Sequence, residues 1–225
     1  MRLIDISLAY AEGMPSYAAA WYPRFGLRPA MTPATDPTGL GRTFTQILLN
    51  PHNATHVDAP SHFFAGATGA LELPLAAGFG PAVIADLSHK GALEPISGDD
   101  LERAAGADFR PGDRLLVATR YLDRHWGEPD FWDRPPYLAP SAAAWALERG
   151  AALVGLDCLT EEPGHPEMPV HRALLGRGIP ILEYLCNLGA AGERRPWLIA
   201  LPVKIAGVEA SPVRAVLVED APWTA

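Results

Sequence analysis

Three of the chain's seven histidines lie within one short segment, residues 50–62, which reads NPHNATHVDAPSH. The side chains of His52, His56, Asp58 and His62 share parity, so on an extended chain all four would point to one face. Four residues of strand span roughly 13 Å, which is near the limit for two imidazoles to share one ion. A straight strand therefore cannot bring the first two histidines together, and the segment must bend.

The same segment indicates where the chain bends. A turn or bulge at Asn53 and Ala54 would bring the two flanking histidines toward each other, and Pro60 can redirect the chain so that His62 approaches from the side. Pro60 and the β-branched residues around the second histidine also disfavour a continuous helix. We therefore expect an irregular loop wrapped around a cation.

The residue types of this cluster are those of a catalytic metal site. Imidazole nitrogens with one carboxylate suit zinc, manganese or iron, and three protein ligands leave coordination positions open for water. A bound divalent ion lowers the pKa of its water from about 15.7 to about 7, so a metal-bound hydroxide can attack a carbonyl at neutral pH. His62, slightly displaced from the other three side chains, is placed to shuttle the proton. The pattern thus predicts a metal-dependent hydrolase.

Composition and charge narrow the class of protein further. The chain has 225 residues, of which 48% are hydrophobic and 20% charged, so we expect a single folded domain over residues 1–225. A net charge of -8 argues against nucleic acid as a partner and favours a small-molecule substrate. Two cysteines are too few for a disulfide framework, and no long apolar segment indicates a signal peptide or a membrane partner. These features predict a cytoplasmic protein.

Apolar and β-branched runs outnumber helical patterns along the chain. Strands are predicted at residues 2–8, 43–49, 82–87, 114–119, 151–157, 197–203 and 213–219. Helices are predicted from a cap at Ser97 or Asp99 through Ala105, from a cap at Ser141 to a stop at Gly150, and over residues 170–177. Residues 181–188 are compatible with helix or strand, and residues 13–41 are predicted to be a long loop. This count favours a β-rich α/β or α+β fold.

Several residues outside the cluster have both a functional and a structural interpretation. Glu183 and Asp157 are acids within or at the end of apolar runs, where a carboxylate needs a partner or a metal to offset its desolvation. Two groups of aromatic residues could line a pocket for a planar substrate or simply pack their loops: Trp21, Tyr22 and Phe25, and then Trp126, Phe131, Trp132 and Tyr137. No GxSxG motif is present, so serine hydrolysis lacks support.

The histidine segment resembles the HxGTHxDxPxH signature of the cyclase family of metal-dependent hydrolases, which includes bacterial kynurenine formamidases and isatin hydrolases. Every signature position is met except the glycine, which is Ala54 here. If that position requires a positive φ, the alanine costs about 1 kcal/mol. The resemblance continues in the blocks LVGLDCLT, HRALL and EYLCNL, which contain His171 and Glu183.

The resemblance implies roles for six residues. His52, His56 and Asp58 would be metal ligands, and His62 would be the catalytic base or a ligand of a second metal. His171 and Glu183 would complete the site, either acting beside one metal as catalytic groups or holding a second ion.

The resemblance also implies a fold, a cofactor and an assembly. These are a swivelling β/β/α fold with a mixed sheet or barrel-like core, one or two Zn²⁺ or Mn²⁺ ions, and a homodimer or homotetramer. The expected reaction is hydrolysis of an arylformamide-type amide, with opening of a cyclic amide or lactone as the next candidate. The rival is a catalytically degenerate member that only binds a metal or a ligand, for which Ala54 is the sole support.

Overall fold

The computed structural model of the chain describes residues 1–17 and 19–223. Its strands are β1 (Arg2–Asp5), β2 (Gly26–Met31), β3 (Phe44–Leu48), β4 (His56–Asp58), β5 (Phe79–Asp86), β6 (Pro95–Ile96), β7 (Arg114–Ala118), β8 (Tyr137–Leu138), β9 (Leu153–Leu156), β10 (Ile181–Glu183), β11 (Trp197–Ile199), β12 (Ala210–Pro212) and β13 (Val216–Glu219). Its α-helices are α1 (Gly98–Ala105), α2 (Tyr121–His125), α3 (Pro140–Glu148) and α4 (Pro169–Leu175). Short 3₁₀ helices cover Pro60–His62, Ala70–Glu72, Leu75–Ala77 and Leu188–Ala190.

Nine of these strands form one mixed sheet in the order β1-β13-β11-β5-β7-β9-β10-β4-β12. The central strands β5, β7, β9 and β10 run parallel, and antiparallel strands flank them on both sides. The sheet curls strongly into a half-barrel with few helices. The prediction of a β-rich α/β fold with a mixed, barrel-like sheet is therefore confirmed.

The central strands are buried on both faces, which explains why they read as continuous apolar runs. Along β5, Val83 and Ala85 join the apolar cluster beneath the helices, whereas Ala82 and Ile84 join the cluster on the opposite face. This alternation follows from the two-residue period of a strand. Helix α3 contacts both α1 and α4, and the three helices cover the first face.

The three predicted helices are present, with corrected boundaries for two of them: α4 covers Pro169–Leu175 instead of residues 170–177, and α3 begins earlier than predicted. Ser97 is the cap of α1, because its hydroxyl accepts a hydrogen bond from the Asp100 N–H at 3.2 Å, and Asp100 in turn accepts from the Ser97 N–H at 2.8 Å. Helix α3 begins at Pro140 and not after a cap at Ser141, since proline fits the first helical position. Gly150, with a φ of 70°, terminates that helix as predicted.

Every helix in the described ranges lacks the combination of length and apolarity that a membrane span requires.

The predicted loop over residues 13–41 was wrong in part, because Gly26–Met31 forms β2 and pairs with β3 in a separate two-stranded sheet. Both strands are largely exposed, so they have no buried face and no apolar alternation that would reveal a strand. The open choice over residues 181–188 is resolved toward extended chain, with β10 at Ile181–Glu183.

Candidate metal centre

Strand pairing brings the Glu183 carboxylate to the histidine segment. Strand β4 pairs antiparallel with β10, so that Glu183 lies directly opposite His56 and Ile181 opposite Asp58. His56 and Asp58 are two residues apart on β4 and therefore project from the same face. As a result, the Glu183 Oε2 atom lies 3.5 Å from His56 Nε2.

A tight turn brings His52 back to this strand, as the sequence predicted. The Asn53 N–H donates to the Asn50 carbonyl at 3.0 Å, and Ala54 adopts the left-handed conformation with a φ of 51°. The imidazole centroids of His52 and His56 are consequently 5.0 Å apart. Only the turn is irregular, because residues 56–58 form a regular strand; the expectation of a wholly irregular loop was wrong.

The turn also orients the second histidine. His56 Nδ1 lies 2.8 Å from the Ala54 carbonyl oxygen, which can only accept a hydrogen bond. The Nδ1 atom must therefore carry the proton, and the Nε2 lone pair faces the cluster. Ala54 thus adopts a left-handed conformation that glycine favours, and its carbonyl fixes the His56 tautomer.

Helix α4 supplies the remaining histidine. His171 lies in the first turn of this helix and is buried, with its Nε2 atom 3.4 Å from Glu183 Oε1 and 3.7 Å from Asp58 Oδ2. Two groups of potential ligand atoms result, in each of which all atoms lie within 4.8 Å of one another. One group is His52, His56 and Asp58, and the other is Asp58, His171 and Glu183, so Asp58 belongs to both.

The Asp58 carboxylate tests whether these residues fit a cation. Both of its oxygens are buried, and neither accepts a hydrogen bond from the described part of the chain. His52 Nδ1 and His56 Nε2 approach Oδ1 to 3.0 and 3.2 Å without hydrogen-bond geometry. A buried carboxylate without a partner is costly, and a divalent ion between these atoms would supply the missing partner. The residues therefore fit a divalent cation.

The electrostatics of Asp58 agree with this interpretation. Burial raises the pKa of the Asp58 carboxyl, but the imidazoles of His56, His171 and His52 outweigh burial and hold the pKa well below its usual value. The carboxylate is therefore ionised and available as a ligand at neutral pH.

His62 lies beside the cluster and outside both ligand groups. Its ring is 4.3 Å from the His52 ring and 6.1 Å from the His171 ring, measured between centroids. Burial lowers the pKa of the His62 imidazole, and the attraction of Asp58 offsets only part of this effect. The ring is thus neutral at neutral pH, which is the form that a general base requires. Its role as base or as ligand stays a prediction.

Some of the predicted aromatic residues reach the cluster. The Tyr22 hydroxyl donates to the His52 carbonyl at 2.7 Å, and the Tyr184 ring lies 5.7 Å from the His56 ring. Trp132 Nε1 donates to the Tyr184 hydroxyl at 3.2 Å. By contrast, Trp21 is 77% exposed. Tyr22, Tyr184 and Trp132 therefore form an aromatic wall beside the histidines.

Asp157 does not reach the cluster through its hydrogen bonds. Its carboxylate accepts from the N–H and the hydroxyl of Thr119 and from the N–H of Arg120, at 2.6 to 2.8 Å. Asp157 thus secures the chain after β7. The supporting role at the metal that its position suggested has no contact in its favour.

Three residues of the site were missed by the sequence analysis. Glu161 contacts His171 Nδ1 at 3.0 Å, Glu209 contacts His52 Nε2 at 3.0 Å, and the Thr160 hydroxyl donates to Glu183 Oε1 at 2.5 Å. Thr160 is the last residue of the LVGLDCLT block, whereas Glu161 and Glu209 lie in a loop and just before a strand, outside the quoted blocks. Only the position of Thr160 and Glu161 shortly after a buried strand was a usable signal, because sites are built at strand ends.

The chain is similar to known proteins in both sequence and fold. The sequence model of the Cyclase family, described as "Putative cyclase", matches residues 4–163. A kynurenine formamidase of Bordetella avium is 36% identical over 177 residues, which cover 78% of this chain and 80% of the relative. A predicted metal-dependent hydrolase from Bacillus stearothermophilus superimposes with a TM-score of 0.77 at 28% identity over 96% and 97% of the two chains.

A third comparison concerns the fold alone. Isatin hydrolase A from Labrenzia aggregata superimposes with a TM-score of 0.81 at 23% identity, over 97% of this chain and 94% of that one. The family match extends over most of the chain, and the formamidase relative exceeds 30% identity over more than two thirds of it. The chain therefore belongs to the cyclase family and is a hydrolase.

Proposed function

We propose that this hydrolase cleaves the amide bond of a small molecule with the help of a divalent cation, Zn²⁺ or Mn²⁺. His52, His56 and Asp58 would hold the cation, and His171 and Glu183 would either assist it or hold a second ion. The observation that carries the proposal is the Asp58 carboxylate, buried and without a hydrogen-bond donor between two groups of ligand atoms. The relatives named kynurenine formamidase support an amide as the bond that is cleaved.

A divalent cation bound at these residues supplies a water of lowered pKa and polarises a carbonyl oxygen. The chain contributes the orientation of its ligands before the cation binds. The Ala54 carbonyl fixes His56, and the Thr160 hydroxyl holds Glu183. Because His56 and Asp58 are almost fully buried, bulk water is excluded from one side of the site.

Hydrolysis requires a group that moves one proton. Water adds to the carbonyl carbon, the C–N bond breaks, and the nitrogen leaves as an amine that has gained a proton. The neutral His62 ring nitrogen can accept the proton that the water loses and return it to the leaving nitrogen. Glu183 is the second candidate for this proton, since its carboxylate lies between His56 and His171.

The aromatic wall favours an aromatic substrate. Tyr184 lies beside His56 and accepts a hydrogen bond from Trp132 through its hydroxyl. Tyr17 packs against Trp132 with ring centroids 6.2 Å apart. Planar rings bind such surfaces by stacking and edge contacts. An N-formyl aromatic amine is therefore the first candidate substrate, and a cyclic amide or lactone, which presents the same carbonyl carbon, is the second.

The test combines metal analysis with a substrate panel. Purified protein is analysed for metal, and turnover of N-formyl aromatic amines, cyclic amides and lactones is measured with and without a chelator. We expect bound Zn²⁺ or Mn²⁺, with hydrolysis of the formamides that the chelator abolishes. Metal retained without turnover of any substrate would favour the non-catalytic binding member.

The proposal includes a cytoplasmic homodimer or homotetramer that acts on a small molecule and binds neither nucleic acid nor membrane. The net charge of -8 supports the exclusion of nucleic acid. The hairpin of β2 and β3 exposes Phe44 and Ile47, at 54% and 62%, and such apolar area supports contact with a second copy. Size-exclusion chromatography with light scattering tests the assembly.

A further inference from the structure

Glu161 is a buried acid that belongs to neither group of ligand atoms. It is 7% exposed, and among the described residues its ion-pair contact is with the His171 imidazole. The Glu161 Oε1 atom accepts from the His171 backbone N–H at 2.7 Å and lies 3.0 Å from His171 Nδ1. A buried carboxylate is retained where a charged or strongly polarised donor offsets its desolvation.

This contact determines how the His171 ring can be used. An ionised carboxylate can accept hydrogen bonds but cannot donate one. Nδ1 of His171 must therefore carry a proton for the 3.0 Å contact to be favourable. The ring is thereby held with Nε2 toward Asp58 and Glu183, at 3.7 and 3.4 Å. A carboxylate behind a ligand histidine fixes the tautomer and raises the basicity of the nitrogen that faces the metal.

We propose that Glu161 is a positioning residue, whose carboxylate holds His171 as the Nδ1–H tautomer with Nε2 directed at the cation. This inference rests on the metal site of the proposed function and not on its substrate. Glu161 acts through His171 and does not touch the reacting atoms.

A purely structural role for Glu161 makes a different prediction. Its bond to the His171 backbone N–H satisfies one of the free donors in the first turn of α4, as a helix cap does. A cap alone would stabilise the fold without changing the affinity for a metal or the protonation of the His171 ring. Metal affinity and ring protonation therefore separate the two roles.

The first experiment measures Zn²⁺ affinity of the full chain by competition with a chromophoric chelator. Glu161→Ala is expected to weaken Zn²⁺ binding by about 10- to 100-fold. Glu162→Ala removes the same charge from the adjacent, exposed residue and is expected to retain wild-type affinity. Glu209→Ala removes the carboxylate that contacts His52. Because the Glu209 side chain is 40% exposed, this substitution is expected to weaken Zn²⁺ binding less than Glu161→Ala does.

The second experiment observes the imidazole directly by NMR of the Zn²⁺-loaded protein labelled with ¹⁵N-histidine. The wild type and Glu161→Gln, which keeps an acceptor oxygen, should show a slowly exchanging proton on His171 Nδ1. Glu161→Ala should lose that protected proton. If Glu161→Ala does not fold, Glu161→Gln provides the test. It keeps the Nδ1 proton but removes the negative charge that raises the basicity of Nε2, so a Zn²⁺ affinity below that of Glu162→Ala supports the inference.

Two results would overturn the inference alone. The first is wild-type protein that binds Zn²⁺ while the Glu161 variants bind it as tightly as Glu162→Ala; the second is a His171 Nδ1 proton that is unchanged in Glu161→Ala. Wild-type protein that binds no divalent cation would overturn the proposed metal site together with this inference.

Discussion

The two halves of the metal centre are built in different ways. His52, His56 and Asp58 come from one turn and one strand within seven residues, whereas His171 and Glu183 come from the first turn of a helix and from strand β10. In the first half, the backbone carbonyl of Ala54 orients His56, and the partly exposed Glu209 carboxylate contacts His52. The second half is oriented by side chains, through Glu161 and Thr160.

This difference separates what is local from what depends on the sheet. The local half takes its ligands from one turn with a left-handed residue and from the short strand that follows, so its ligand spacing can be read from one segment. The distant half exists only when β10 is paired with β4 and α4 is packed beside them. Asp58 joins both groups of ligand atoms, and its removal should therefore affect the whole centre.

Substitution of Asp58 should have the largest effect on metal binding and activity, because Asp58 belongs to both halves of the centre. Asp58→Ala and His56→Ala are expected to abolish both metal retention and activity, because both residues are buried ligands of the local half. His171→Ala should leave the three local ligand atoms in place and retain one ion. Elemental analysis and formamide turnover measure both properties. Full activity in His56→Ala would contradict the ligand assignment.

Substitution of His62 should separate proton transfer from metal binding. His62→Ala is expected to keep at least one ion, since neither group of ligand atoms includes His62. Its rate should fall by about 10²- to 10⁴-fold, the usual contribution of a general base. Elemental analysis and steady-state kinetics check the two statements. Loss of all metal in this variant would instead make His62 a ligand.

Asp157 is a second buried aspartate, and among the described residues its hydrogen-bond donors are Thr119 and Arg120 and not an imidazole. Burial raises its pKa to about 6, although Thr119 and Arg120 donate hydrogen bonds to it. The folded state therefore binds this proton more tightly than the unfolded state, whose carboxyl has a pKa of about 3.9. The stabilisation is complete below the unfolded pKa and is lost as the pH rises through about 6.

Urea unfolding in the presence of a chelator, between pH 4 and 7, measures this effect. The contribution of Asp157 to the free energy of unfolding should fall by about 2 kcal/mol across this range. Asp157→Asn should remove this dependence on pH. Identical pH profiles for the wild type and Asp157→Asn would show that Asp157 titrates normally.

The smallest expected effect concerns the turn of the local half. Ala54 has a φ of 51°, a conformation that alanine adopts at a cost and glycine adopts freely. Ala54→Gly should therefore raise the free energy of unfolding by up to about 1 kcal/mol and leave metal affinity unchanged. Thermal unfolding and chelator competition measure these quantities. A clear loss of stability would mean that the buried methyl group contributes more than the strain costs.

Much of the fold and half of the site could be predicted from local pattern. The central strands β5, β7 and β9 were found because burial on both faces leaves continuous apolar runs. Strand β2 was missed because it is exposed and lacks such a pattern. Glu209 was missed for a related reason, since nothing next to it in sequence marks it as the partner of a histidine, and Glu161 had only its position shortly after strand β9 as a signal.

The local half of the metal centre could be predicted from the spacing of residues in one short segment. Its spacing required a bend, and the bend lies at Asn53 and Ala54, where the sequence placed it. The tertiary structure alone decided that Glu183 lies opposite His56 and that Glu161 lies behind His171. The physical reason is that strand register and helix docking depend on the free energy of the whole sheet and its two apolar clusters, which no short segment encodes.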